Sequence, residues 1–187
     1  MKNHWIICLK LTFVTLILFG VAYPLLITGI AKVAAPNGGR GETLVATGKT
    51  AGFELIGQKF DTDKYFNSRP SAVDYNAAAT GGSNKGATNP DYLQQVQARI
   101  DTFLVHNPSV RKSEIPVDLV TASGGGLDPH ISPQAALVQI DRIAQTRHLS
   151  KEKLEALVQQ HTEAPYLGMG TARVHVLRLN IALDELK

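Results

Sequence analysis

Disulfide chemistry is excluded first: the 187 residues contain one cysteine, Cys8, and a single thiol closes no internal bridge. Massed positive charge is missing as well. Nineteen Lys and Arg against 16 Asp and Glu leave a net charge of +3. The basic residues are scattered, with no run of five or six and no interleaved aromatics, so nothing marks a nucleic-acid surface. Internal repeats and low-complexity tracts are absent too. With 44% apolar and 19% charged residues, the chain has the composition of a folding protein rather than a disordered one.

Catalytic signatures are equally scarce. There is no G-x-S-x-G. Ser150-Lys151-Glu152-Lys153 fits S-x-x-K, but its companion K-T-G is broken at Lys49-Thr50-Ala51 and no S-D-N occurs. Ser123, before Gly124-Gly125-Gly126, has no base at a fixed spacing. None of the six histidines pairs with another at the i, i+4 spacing of a helical metal site, and His161-Thr162-Glu163 or Asp128-Pro129-His130 offers two ligands at most. Gly81-Gly82-Ser83-Asn84-Lys85-Gly86-Ala87-Thr88 holds the ingredients of a phosphate loop in the wrong order, Lys85 preceding the last glycine. Backbone amides there can still meet an anion, which makes Ser83, Asn84 and Lys85 the candidate cofactor contacts. The plainer reading is a structured turn whose Lys85 faces a partner or solvent.

What is present begins with an apolar run. Leu11 to Ala31 is 21 residues without a charge, about 31 Å as a helix, close to the ~30 Å hydrocarbon core of a bilayer. Trp5 precedes it and Lys2, Lys10 and Lys32 frame it. A cleaved signal peptide is the rival reading, with Ala31, Ala34 and Ala35 as its small residues, but its apolar region is only about 7–15 residues. A buried core helix fits a wholly apolar run less well. The expected layout is a short tail over 1–10 and a retained transmembrane helix over 11–33. Pro24 kinks the helix or loosens a turn. Gly20, Ala22 and Gly29, with Pro24, are the expected packing positions against neighbouring helices. Lys2 and Lys10 before the span nearly balance Lys32, Arg40 and Lys49 after it, so charge does not set the orientation.

A linker follows over 34–50, rich in glycine and small residues, and a single soluble domain occupies 51–187. Gly52–Phe60 alternates as a short strand. Residues 61–90 form a long polar loop with Tyr65, Phe66 and Tyr75 as anchors, which predicts an ordered binding loop. Asn89-Pro90 opens a helix with the stripe Leu93, Val96, Ile100, Phe103 and Leu104, ended by Asn107-Pro108. Val117–Val120 reads as a strand. Ser132-Pro133 opens a second helix with Ala136, Leu137, Ile140, Ile143 and Ala144 on one face. Ser150 opens a third with Leu154, Leu157 and Val158. Arg173–Arg178 reads as a strand, and the tail NIALDELK as a helical turn. This order predicts an α+β (mixed α/β) fold. Asp128-Pro129-His130-Ile131-Ser132-Pro133 is stiffened by two prolines and presents Asp128 and His130 in set directions, for partner recognition or merely for capping.

The strings LFGVAYPLLITGIA, LIGQKF, YFNSRPSA, YNAAATGGSNKGATNP, IPVDLVTASGGGLDPHISPQAA and VQIDRIAQTR, in this order behind one span, resemble the C subunit family (KdpC) of the Kdp potassium-transporting ATPase along nearly the whole chain. Two places depart from the family pattern: His175 stands where an asparagine is expected, and Gly38-Gly39-Arg40-Gly41 is a looser linker. The resemblance implies a non-catalytic subunit of an inner-membrane complex that hydrolyses ATP and imports potassium. Its partners are a channel-like potassium-binding subunit, a P-type ATPase subunit and the lipid bilayer, with no nucleic acid. ATP and potassium are handled by the complex, and the subunit is described as stabilising it and as a catalytic chaperone that raises ATP affinity. The resemblance also implies a cytoplasmic N-terminus and an external soluble domain. Arg69, Asn84, Lys85, Asp128 and His130 are the candidate partner contacts. The competing readings are a membrane-anchored surface hydrolase and a nucleotide-binding module.

Overall fold

The computed structural model describes residues 2–165 and 168–186. It divides into two compact units, Met1–Glu42 and Thr43–Lys187.

The first unit is helical. α1 (Lys2–Ile17) runs through a π-helical turn at Leu18–Ala22 into α2 (Tyr23–Ala34). His4–Ala34 has a mean hydropathy of 2.2 over its most apolar stretch and none of that stretch is buried. It is the one helix among the described residues long and apolar enough to cross a membrane. The π turn has a local cause. Pro24 has no N–H to donate, and its ring crowds the carbonyl four residues back. The backbone widens instead, and Tyr23 N donates to Leu18 O, five residues back. The expected disturbance at Pro24 is therefore a loosened turn. Thr28 Oγ donates to the Pro24 carbonyl at 2.7 Å, occupying that acceptor from within the helix. A short 3₁₀ turn at Pro36–Gly39 closes the unit.

The second unit is α+β. β1 (Thr43–Ala46) and β2 (Lys49–Phe53) form an antiparallel hairpin. A long irregular stretch leads to α3 (Pro90–His106), where Asn89 Oδ1 accepts from Tyr92 N. Then come β3 (His130–Ile131), α4 (Pro133–Leu137), α5 (Ile140–Arg147), α6 (Lys151–Gln160), β4 (Thr162–Glu163), β5 (Arg173–His175) and α7 (Val176–Glu185). β5 lies between β3 and β4, antiparallel to both. The core gathers one face of the small sheet with α4 to α7: Ile131, Val174, Ala135, Ile140, Ile143, Leu154, Val158, Leu179 and Leu183, with Phe66 inserted from the long loop.

Several elements differ from the sequence reading. The strand expected over Gly52–Phe60 lies earlier, as β2 over Lys49–Phe53, with β1 before it. It cannot continue, because Gly57 comes against the 127–128 backbone, donating to Leu127 O at 2.8 Å. A Cβ at Gly57 would sit 2.5 Å from Asp128 O. Val117–Leu119 is a 3₁₀ turn, not a strand. Asp118 is spent on Ser132, accepting from its N at 2.7 Å and its Oγ at 3.2 Å. The helix opened by Ser132 breaks at Val138–Gln139 into α4 and α5, which leaves Leu137 40% exposed while Ala136, Ile140 and Ile143 are buried. Leu93 is likewise exposed, and α3 buries none of its residues fully. The last strand stops at His175, whose Nδ1 accepts from Arg178 N at 3.3 Å and so starts α7.

Candidate interaction site

Three buried polar side chains pin the start of the long loop to the helices. Asn180 of α7 pairs with Phe66 as a strand would, Oδ1 accepting from Phe66 N at 2.9 Å and Nδ2 donating to Phe66 O at 3.0 Å. Gln139 Oε1 accepts from Asn67 N at 2.8 Å. Arg142 donates to Asn107 Oδ1, Asp63 O, Asn67 Oδ1 and Gln139 Oε1 at 2.6–3.0 Å. Buried backbone groups need partners, and here helix side chains supply what no strand offers. The sequence reading missed Gln139, Arg142 and Asn180. Their signal was a polar residue in register with an apolar stripe, Gln139 and Arg142 lying three apart beside Ile140 and Ile143.

With its start held, the loop runs against residues 123–128. Ser123 N donates to Pro70 O at 3.2 Å, Gly81 N to Gly125 O at 3.1 Å, and Ser71 Oγ to Gly126 O at 2.7 Å. Tyr75 donates its hydroxyl to the Arg69 carbonyl. The glycine run has a steric reason. Gly126 has φ +73°, and a Cβ there would lie 2.6 Å from Val73 Cγ2; one on Gly82 would lie 2.9 Å from Gly124 O.

This lacing brings Arg69, Asp128 and His130 together. Arg69 Nη1 donates to Asp128 Oδ2 at 3.0 Å; Asp128 Oδ1 accepts from His130 N at 3.0 Å, with His130 Nδ1 3.5 Å away. They line a cleft of about 340 Å³ with Asp118, Ser132 and Arg173. Burial raises the Asp128 pKa, but the His130 ring and backbone and the Arg69 guanidinium outweigh it and hold the carboxyl at about 2. Lys85 stands apart, with Nζ 3.8 Å from Asp91 in the first turn of α3. Asn84 has φ +52°. The glycine-rich stretch thus leads to α3 through an ion pair rather than into the Arg69–Asp128 cluster. In the membrane helix, Gly20 and Ala22 lie within the π turn and Pro24 just after it, and a Cβ at Gly20 or Gly29 would meet nothing within 4 Å. No group of three or more His, Cys, Asp or Glu among the described residues is placed to hold a metal.

The profile of the family described as "KdpC: K+-transporting ATPase, c chain" matches residues 5–185. The chain belongs to the KdpC family. It is 59% identical over 187 residues to a protein of Flavobacterium psychrophilum and 58% identical to one of Flavobacterium johnsoniae, covering all of both chains in each case. A Polaromonas naphthalenivorans protein is 50% identical over 191 residues, covering all of this chain and 97% of its own. Each of the three is named "Potassium-transporting ATPase KdpC subunit".

Within this KdpC chain, His175 has a distinctive setting. It is 3% exposed, meets His130 edge-on with ring centroids 5.2 Å apart, and bonds the Glu54 carbonyl through Nε2. Since Nδ1 accepts from Arg178 N, the proton sits on Nε2 and the ring is neutral. Burial lowers its pKa below 6.5, the Glu54 carbonyl opposes this in part, and His130 and Arg178 lower it further. A histidine whose folded pKa is depressed contributes stability that is complete above its unfolded pKa of about 6.5 and declines as pH falls from there towards the folded value. The melting temperature of the full chain in detergent is therefore expected to fall between pH 7 and pH 5. His175→Asn, which keeps an acceptor for the Arg178 amide, should flatten that slope. An equal slope in the variant overturns this role for His175. The Asp128 contribution behaves separately: present above about pH 4, it is lost only as pH drops towards about 2.

Proposed function

We propose that this KdpC chain is an accessory, non-catalytic subunit of an ATP-driven potassium import complex of the cell inner membrane. The observation that carries the reading is the family match over residues 5–185, together with relatives of equal length named as subunits of a potassium-transporting ATPase. In this reading the helix packs through Gly20, Ala22, Pro24 and Gly29 against helices of a channel-like potassium-binding subunit and a P-type ATPase subunit. Gly20 and Gly29 leave the backbone open to close approach. The N-terminus is cytoplasmic and the second unit external, docking on a partner through the 67–89 and 123–133 loops with Arg69, Asn84, Lys85, Asp128 and His130 as contacts. The mutual bracing of these loops supports the choice, because a pre-ordered surface loses little entropy on binding. Raised ATP affinity of the catalytic subunit then follows from stabilising one of its conformations, since a ligand shifts an equilibrium by its differential affinity for the two states.

Affinity purification of the tagged full chain from native membranes is the test. The expected result is co-purification of a potassium-stimulated ATPase, no ATPase activity in the isolated chain, and loss of co-purification when residues 1–34 are deleted. Turnover of ATP by the isolated chain would falsify the proposal.

A further inference from the structure

The β1–β2 hairpin carries an apolar surface that the second unit does not cover. Val45, Phe53 and Leu55 are 59, 47 and 72% exposed. Thr43 pairs with Phe53 and Val45 with Thr50, so these four side chains share one face, while Leu44, Ala46 and Gly52 are half-buried on the other. Leu55 extends the exposed set just past the strand. Among the described residues no third strand joins this sheet, and a two-stranded ribbon alone is marginal in water. Its base is held from the other side: the Glu54 carbonyl accepts from His175 and its carboxylate pairs with Arg178.

The chain itself restricts what can meet that face. Eight residues separate Ala34 at the end of α2 from Thr43, and four of them form the 3₁₀ turn Pro36–Gly39. Such a tether spans at most about 25–30 Å, so the hairpin cannot leave the vicinity of the bilayer that holds the helix. Lys32, Arg40 and Lys49 lie along the same segment, against Glu42 and the Arg178-paired Glu54 in 32–55. Apolar side chains with adjacent cations suit the interface of a membrane that carries anionic lipid.

We propose that the outer face of the hairpin, Val45, Phe53 and Leu55, rests on the surface of the bilayer, its apolar side chains among the lipid headgroups and Arg40, in the tether before β1, against anionic phosphates. It forms a second membrane contact that limits rotation of the external unit about its tether. The inference depends on the His4–Ala34 helix lying in the membrane, and its test separates the two.

The full chain, carrying Cys8→Ser, is labelled with bimane at Leu55→Cys or, as control, at Val117→Cys. It is reconstituted in phosphatidylcholine vesicles with and without phosphatidylglycerol. Lipids spin-labelled near the headgroup are expected to quench the Leu55 probe at least about twofold more than the control, as befits a group seated roughly 5–10 Å into the boundary region, and more so with phosphatidylglycerol. Equal quenching at both positions, with the chain retained in alkali-washed vesicles, overturns the hairpin contact alone. Loss of that retention overturns the anchoring and the hairpin contact together. Shielding of the Leu55 probe only when the co-purifying pump subunits are present overturns the lipid assignment and makes the face a protein interface.

Discussion

Replacing Arg142 with alanine is expected to destabilise the second unit by about 2–4 kcal/mol, because several buried acceptors lose their donor at once. The guanidinium sits between α5 and the long loop and reaches Asn107, Asp63, Asn67 and Gln139, with the half-exposed Asp63 carboxylate 3.8 Å away. Truncation leaves the Asn107, Asn67 and Gln139 oxygens facing one another around a vacated space. Arg142→Lys should recover less than half of the loss, since an ammonium on a flexible stem cannot reproduce a planar fork directed at separate acceptors. Thermal unfolding of the full chain in detergent, followed by circular dichroism, measures the effect. A loss below about 1 kcal/mol, the worth of a single net hydrogen bond, would mean that the cluster is dispensable.

Asn180→Leu is expected to cost about 2–5 kcal/mol, comparable to truncating Phe66 itself, which should cost about 3–5 kcal/mol as a core cavity. The reason is the backbone of Phe66. Its side chain is fully buried, and its N–H and C=O both bond to Asn180. Leucine fits the apolar surroundings but orphans both groups. Asn180→Asp keeps the acceptor but turns a buried carboxylate oxygen towards the Phe66 carbonyl, so it should not recover the loss. A local readout accompanies the stability change: trypsin cleavage after Lys64 and Lys85 should accelerate, because the loop between 61 and 90 loses a fastening. Unchanged cleavage alongside a lowered melting temperature would show that Asn180 stabilises the core without ordering the loop.

These two positions show where sequence patterning stops being informative. The helices over 90–106 and 151–160 were legible because their signals are local. Asn89 and Ser150 cap by reaching three residues ahead, and the Leu154, Leu157 and Val158 face needs only helical periodicity. The 61–71 segment offered no such local cue. Its order comes from side chains about 72 to 114 positions further along the chain, a separation that no window-based pattern samples. The cluster of Arg69, Asp128 and His130 was only half legible. The prolines around His130 announced stiffness, but that Arg69 meets Asp128 across a separation of 59 residues depends on the stacking of two glycine-rich loops. Lys85, grouped with them on sequence, pairs with Asp91 instead. The strand expected over 117–120 failed for a related reason: hydrophobic residues set a preference, and Asp118's bonds to Ser132 decided the backbone.

Sequence alone determined the apolar span, the α+β class, the starts of the helices at Pro90, Pro133 and Lys151, and the family, because each is written in local composition or in consecutive strings. The tertiary structure alone decided which polar groups are buried, how the long loop is held, where the strands end and which charged residues share a cleft. Those outcomes turn on satisfying every buried donor and acceptor, a requirement met between residues distant in the chain and visible only once the backbone has brought them together.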